Sequence, residues 1–125
     1  MTTKSIDHPT EFSAKLFGFA DQMDVDGYLT MLTDDIRFRF ANEPVARGKD
    51  AVREALTQLT SVVSGIRHTV LDEWRVGDHI IHKLQVTYTR RDGSQVRVPA
   101  ATIYRISGDQ IGEYQTYVDL DPVFN

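Results

Sequence analysis

The sequence predicts a single α+β domain, a cone-shaped, curved antiparallel sheet wrapped around helices in the order α-α-β-α-β-β-β-β. Three observations point there. Apolar residues recur at helical spacing in two early segments and again before Gly65, alternating residues fill the second half, and short Gly-Asp or Asp-Gly turns divide that half into long extended runs. With 125 residues, 41% of them hydrophobic, residues 1–125 suffice for one core and leave no room for a second.

Asp7, His8, Pro9 and Thr10 supply capping and first-turn chemistry ahead of Phe12, Leu16, Phe19, Ala20 and Met23, which lie at helical spacing. Asp24 to Asp26 caps a shorter helix through Tyr28, Leu29, Met31 and Leu32, ending before Asp34 and Asp35. Ile36, Phe38 and Phe40 then alternate with Arg37 and Arg39, the period of a strand with one dry and one wet face, and Asn42-Glu43-Pro44 breaks it. A third helix spans about Lys49 to Ser64 with Val52, Ala55, Leu56, Leu59, Val62 and Val63 inward, and Gly65 is placed to end it as a left-handed cap. Four extended segments remain, about His68 to Val76, His79 to Arg90, Gln95 to Ile106 and Gln110 to Leu120. Their connections, Gly77-Asp78, Asp92-Gly93 and Gly108-Asp109, are short enough to force consecutive antiparallel neighbours. A long sheet covered by helices on one side bends around them and leaves space between.

Composition narrows the partners. A formal charge of −4, a pI near 5.5 and no lysine/arginine stripe on any candidate helix argue against nucleic acid. The absence of cysteine excludes disulfides, thiolate metal sites and a cysteine nucleophile, and fits a reducing compartment. Met1 to Pro9 is polar, without the apolar core of a secretory signal, and no apolar run approaches the roughly 20 residues that span a bilayer. A cytoplasmic protein with no membrane partner is expected. His79 and His82 lie at odd separation and point to opposite strand faces, Ser61, Ser64 and Ser107 lack a nucleophile-elbow context, and no Gly-rich phosphate loop exists. Neither a metal nor an organic cofactor is expected.

Several segments together resemble a known superfamily: Asp24-Val25-Asp26-Gly27-Tyr28 with Leu32-Thr33-Asp34-Asp35, Phe40-Ala41-Asn42-Glu43-Pro44 with Gly48, Val86-Thr87-Tyr88-Thr89 with Asp92-Gly93 and Pro99, and Ile111 with Glu113-Tyr114 through Tyr117-Val118-Asp119. Over nearly its whole length the chain looks like the SnoaL-like and ketosteroid-isomerase-like members of the nuclear transport factor 2-like superfamily. The resemblance implies a cystatin-like cone around one apolar small-molecule pocket, and homodimers formed through the outer sheet face, where Gln115 and Tyr117 would lie. It does not fix a reaction, because this fold hosts unrelated chemistries and non-enzymes.

The machineries of the relatives are altered here. Counted from Asp24 and Asp34-Asp35, the isomerase's catalytic tyrosine falls at Leu16, its general-base aspartate at Phe40 and its oxyanion aspartate near Thr102. Leucine and phenylalanine cannot move a proton. Phe40-Ala41-Asn42 with Pro44 resembles the water-binding segment of the limonene epoxide hydrolases, whose Arg-x-Asp pair would lie near Gln85 and Thr87. The last-strand aspartate of that enzyme and of the polyketide cyclases would fall at Thr116.

Four residues are left as candidates for chemistry. Asn42 offers a donor and an acceptor where the first strand breaks, or caps a turn. His68 opens the second strand and is suited to proton transfer near neutral pH, or is a strand-edge histidine bonded to backbone. Tyr114 orients a ligand oxygen or packs as wall, and Asp119 acts as base at the cavity mouth or as a structural acceptor. By the same count Tyr114, Thr116 and Val118 face the cavity on the last strand. Phe12, Leu16, Phe19, Phe38, Phe40, Trp74, Tyr88 and Tyr104 line a ligand site or simply fill the core. Two functions follow from these residues: an isomerase, cyclase, lyase or hydrolase acting on a small apolar oxygenated molecule, or a non-catalytic module that binds an apolar ligand or another protein.

Overall fold

The computed structural model describes residues 10–124, so the capping expected of Asp7, His8 and Pro9 falls outside the described residues. Thr10 is the N-cap of α1 (Glu11–Asp21), its hydroxyl accepting from the Ser13 N–H at 3.3 Å. Asp24 does the same for the short α2 (Val25–Leu29), accepting from the Gly27 N–H at 2.9 Å. β1 (Leu32–Phe40) starts earlier than its alternation suggests, and the short β2 (Ala46–Arg47), which the sequence does not announce, folds back on it.

α3 (Lys49–Val62) corrects the expected glycine cap. It passes directly into β3 (Val63–Val76), Val63 already being extended at φ −127° and ψ 152°. Two β-branched residues in succession, Val62 and Val63, favour that switch, and strand pairing satisfies the backbone where a cap would have done so. Gly65 instead sits within β3 opposite Thr89, where a Cβ would come 3.2 Å from the threonine side chain.

β4 (His79–Arg90), β5 (Gln95–Ser107) and β6 (Gln110–Val118) follow as antiparallel neighbours. The sheet order is β2-β1-β6-β5-β4-β3, with β1 parallel to β6. This is the predicted α+β architecture, a curved sheet closing on helices. The last strand stops at Val118 because the Asp119 carboxylate accepts the Asp121 N–H at 3.0 Å and opens a terminal turn of helix, α4 (Asp121–Phe124). Leu16, Leu32, Ile36, Val52 and Ile111, all 0% exposed, anchor the core between helices and sheet. Among the described residues no helix is long and apolar enough to cross a membrane.

One irregularity decides what faces the interior. Val70 pairs with Leu84 and Asp72 with Lys83, so Leu71 is an extra residue, a bulge in β3. Before it Ile66 and Val70 pack on the core. After it the alternation shifts, Glu73 points inward at 2% exposure, and Trp74 pairs with Ile81 on the outer face.

Candidate functional site

Two histidines on adjacent strands each meet a carboxylate inside the cone. Asp21, the last residue of α1, lies over β3, with Oδ1 2.6 Å from His68 Nδ1. The same carboxylate accepts the His68 backbone N–H at 3.1 and 3.2 Å. The imidazole also stacks on Phe17, 4.4 Å between ring centres and 13° from parallel. Two rigid elements and a stacked ring therefore fix its orientation. With Nδ1–H donated to Asp21, Nε2 carries the lone pair, and among the described residues it has no hydrogen-bond partner.

His68 borders an inner chamber of about 60 Å³ walled by Phe19, Phe38, Phe40, Tyr88 and Tyr114. An outer chamber of about 340 Å³ lies between α3 and β1, and Phe38, Phe40, Leu56 and Leu59 border both spaces. Tyr114 is buried on β6, stacked on Phe38 at 4.6 Å, with the rings of Tyr104 and Tyr28 edge-on at 5.0 and 6.2 Å. Burial raises the pKa of Tyr28, Tyr88, Tyr104 and Tyr114 above the ordinary phenol value, which keeps all four hydroxyls protonated at neutral pH. At Tyr114 the hydroxyls of Tyr28 and Thr116 pull the other way, since they favour its charged form. The Tyr114 phenol thus stays protonated at the chamber wall.

The second pair is sealed. Glu73, His82 and Ser13 are 2%, 0% and 0% exposed. His82 Nε2 lies 2.7 Å from Glu73 Oε1, and Nδ1 lies 2.9 Å from the Tyr104 hydroxyl. The hydroxyls of Ser13 and Thr10 donate to the same carboxylate oxygen at 2.5 and 3.1 Å. Desolvation raises the pKa of Glu73, but the hydrogen bonds from Ser13, His82 and Thr10 outweigh it and leave the pKa lowered, while burial lowers that of His82. Ionised Glu73 beside a neutral His82 satisfies every donor: Tyr104 O–H to Nδ1, and Nε2–H to the carboxylate. Ser13 sits 3.0 Å from that same Nε2, so the base nitrogen is already occupied and the trio is not arranged as a nucleophilic triad.

Of the residues singled out in the sequence, His68, Tyr114, Phe19, Phe38, Phe40 and Tyr88 meet around the inner chamber. The others do not join them. Asn42 is exposed in the turn after β1, where Ala41 at φ 54° swings the chain away, and Asp119 is exposed and serves as the acceptor that starts α4. Gln85 alternates with buried Leu84 and Val86 and so belongs to the outer face. Leu16 is in the closed core, Thr102 and Thr116 bond to each other at 3.0 Å, and Val118 is half-buried; none of them borders either chamber. Asp21 escapes a reading of the sequence because a carboxylate at the end of an amphipathic helix is ordinary, and its partner lies 47 residues away. Among the described residues there is no group of three or more metal-ligating side chains.

A family model described as a SnoaL-like domain matches residues 14–114. No curated protein matches the chain. Similar solved structures include a hypothetical protein with a ketosteroid isomerase-like fold from Catenulispora acidiphila in complex with trimethylamine, 18% identical, covering 93% of this chain and 91% of that one at a TM-score of 0.83. A putative SnoaL-like polyketide cyclase from Jannaschia sp. CCS1 is 18% identical over 91% and 87% of the two chains with a TM-score of 0.78, and an epoxide hydrolase of the limonene epoxide hydrolase-like type from M. tuberculosis is 14% identical over 90% and 84% with a TM-score of 0.75. The cone, its element order and this match over most of its length place the chain in the SnoaL-like domain family.

Proposed function

We propose that this protein is an enzyme that performs cofactor-independent acid/base chemistry on a small apolar oxygenated compound. His68 Nε2 takes a proton, Asp21 holds the ring in the required tautomer and stabilises the imidazolium that forms, and Tyr114 donates to the substrate oxygen where charge develops. The observation that carries this reading is the 2.6 Å Asp21–His68 contact beside an apolar chamber, with the second nitrogen left open. An isomerase, cyclase, lyase or hydrolase reaction is compatible with this set. The cyclase and epoxide hydrolase among the similar structures support that range without choosing within it.

A test by proton exchange does not require the natural substrate. A panel of β,γ-unsaturated and α-aryl ketones is incubated in D2O, and loss of the α-proton signal is followed by NMR. Catalysed exchange in the wild type that disappears in His68→Ala supports the reading. Tight ketone binding with no exchange above buffer would support the binding-module alternative instead.

A homodimer through the outer sheet face and a cytoplasmic setting belong to the same proposal. Tyr117 and Ile103, 57% and 36% exposed on that face, support the dimer. Sedimentation at monomer mass at micromolar concentration would remove it.

A further inference from the structure

Volume decides what can sit beside His68. A cavity needs about 10–15 Å³ to hold one water molecule, so an inner chamber of about 60 Å³ admits only a handful of heavy atoms, such as a carbonyl and its nearest carbons. The rest of any substrate must lie elsewhere. The outer chamber, at about 340 Å³, falls within the range of small-molecule pockets and meets the inner one at Phe38, Phe40, Leu56 and Leu59. Leu120 and Phe124 roof it, and α4 is held in place there by the Arg90 guanidinium, which donates to the carbonyls of Val123 at 2.9 Å and Pro122 at 2.5 Å. Phe124 and Val62 are 54% and 46% exposed at its rim, apolar surface that a bound hydrocarbon would cover. Glu43 is the one charged side chain in its lining among the described residues, so an anionic group at this end would be repelled.

We infer that the two chambers form one elongated site for a molecule with a narrow oxygenated head and an uncharged hydrocarbon body. The head reaches His68 and Tyr114, and the body crosses the four shared apolar side chains into the space under α4. The inference rests on the reading of His68 and Tyr114 as the groups that meet the head. It adds the shape and charge of the substrate, and a second subsite distant from the dyad.

Straight-chain methyl ketones from 2-hexanone to 2-dodecanone, titrated calorimetrically, test it. Affinity should rise about fourfold per added methylene while the chain extends into the outer chamber, as about 0.8 kcal/mol of apolar burial gives. Ala55→Trp and Ala46→Trp each fill the outer chamber alone, since neither alanine borders the inner one. Either variant, once shown by its melting curve to be folded, should flatten the series and leave 2-hexanone bound as before. His68→Ala should shift the whole series by one factor and keep its slope, so a failure of the head assignment is distinct from a failure of the two-chamber site. A flat wild-type series, as expected were a second copy of the chain to cover the outer chamber, overturns the inference. So does a slope that survives in either folded tryptophan variant.

Discussion

His68 with Asp21 and His82 with Glu73 are built from the same pieces, an imidazole on a strand and a carboxylate within 2.7 Å of it, yet their hydrogen bonds are filled to different degrees. At His82 both ring nitrogens are engaged, the carboxylate takes hydroxyls from Ser13 and Thr10 as well, and nothing is left to offer a guest. At His68 the carboxylate engages one nitrogen and the backbone amide, and the other nitrogen is open beside the chamber. Complete satisfaction suits a structural group, whereas an uncommitted lone pair is what the proposed proton transfer at His68 requires. Burial and a carboxylate partner alone therefore do not separate the proposed base from the sealed histidine.

The sealed pair should dominate stability. Glu73→Ala leaves a buried imidazole N–H and two hydroxyls without their acceptor, at about 1–3 kcal/mol for each unsatisfied group, and should cost about 3–5 kcal/mol in urea denaturation. An equal cost from Asp21→Asn, at the partly exposed pair, would erase the distinction between the two sites. The open pair should dominate chemistry: His68→Ala should lower ketone exchange by about 100-fold or more, and Asp21→Asn by about 10-fold, through loss of the fixed tautomer. Tyr104→Phe strips the donor from His82 Nδ1 and should cost about 1–3 kcal/mol while leaving exchange at His68 measurable.

Acid should act on the sealed pair in stages. His82 in the unfolded chain titrates near 6.5 and is lowered in the fold, so below that pH the unfolded state binds a proton that the native state refuses, and stability falls. Glu73, lowered from 4.5, contributes stability that is present above that pH and lost as pH falls through its native value. The urea midpoint should therefore decline first below about pH 6.5 and again below about pH 4.5, and His82→Gln should remove the first decline only. The smallest effect is the stability change of Asp21→Asn itself, about 1 kcal/mol or less, checked in the same titrations.

Much of this is legible in the sequence, for reasons that can be named. The Phe12-Leu16-Phe19 spacing, the Ile36-Phe38-Phe40 alternation and the three short turns are local signals, and they place the helices and the antiparallel run. His68 stands out as a histidine able to titrate near neutral pH, Tyr114 by its position counted along the last strand, and the phenylalanines of the chamber by helical and strand periods. Asn42 and Asp119 mislead because polar groups at strand ends resemble site residues, whereas the turn at Ala41 and the start of α4 take them outside. β2 and α4 are too short to carry a period. The Glu73–His82–Ser13 cluster is invisible for another reason: strict alternation along β3 puts Asp72 and Trp74 inside, and only the extra residue at Leu71 brings Glu73 to His82.

That extra residue works as a parity switch. His68 and Glu73 are an odd number of positions apart, and both look into the cone only because one residue between them is left out of the ladder. Removing Leu71 would straighten the strand and still set Asp72 opposite Lys83 and Glu73 opposite His82. Lengthening β3 by one position beside Leu71, with the bulge still absorbing a single residue, would instead turn Trp74 inward and Glu73 outward. Redesign of the interior near His82 is thus governed by the length of β3 as much as by its letters: such an insertion would set Asp72 in the place of Glu73 opposite His82 and bring an indole into the depths opposite Ile80.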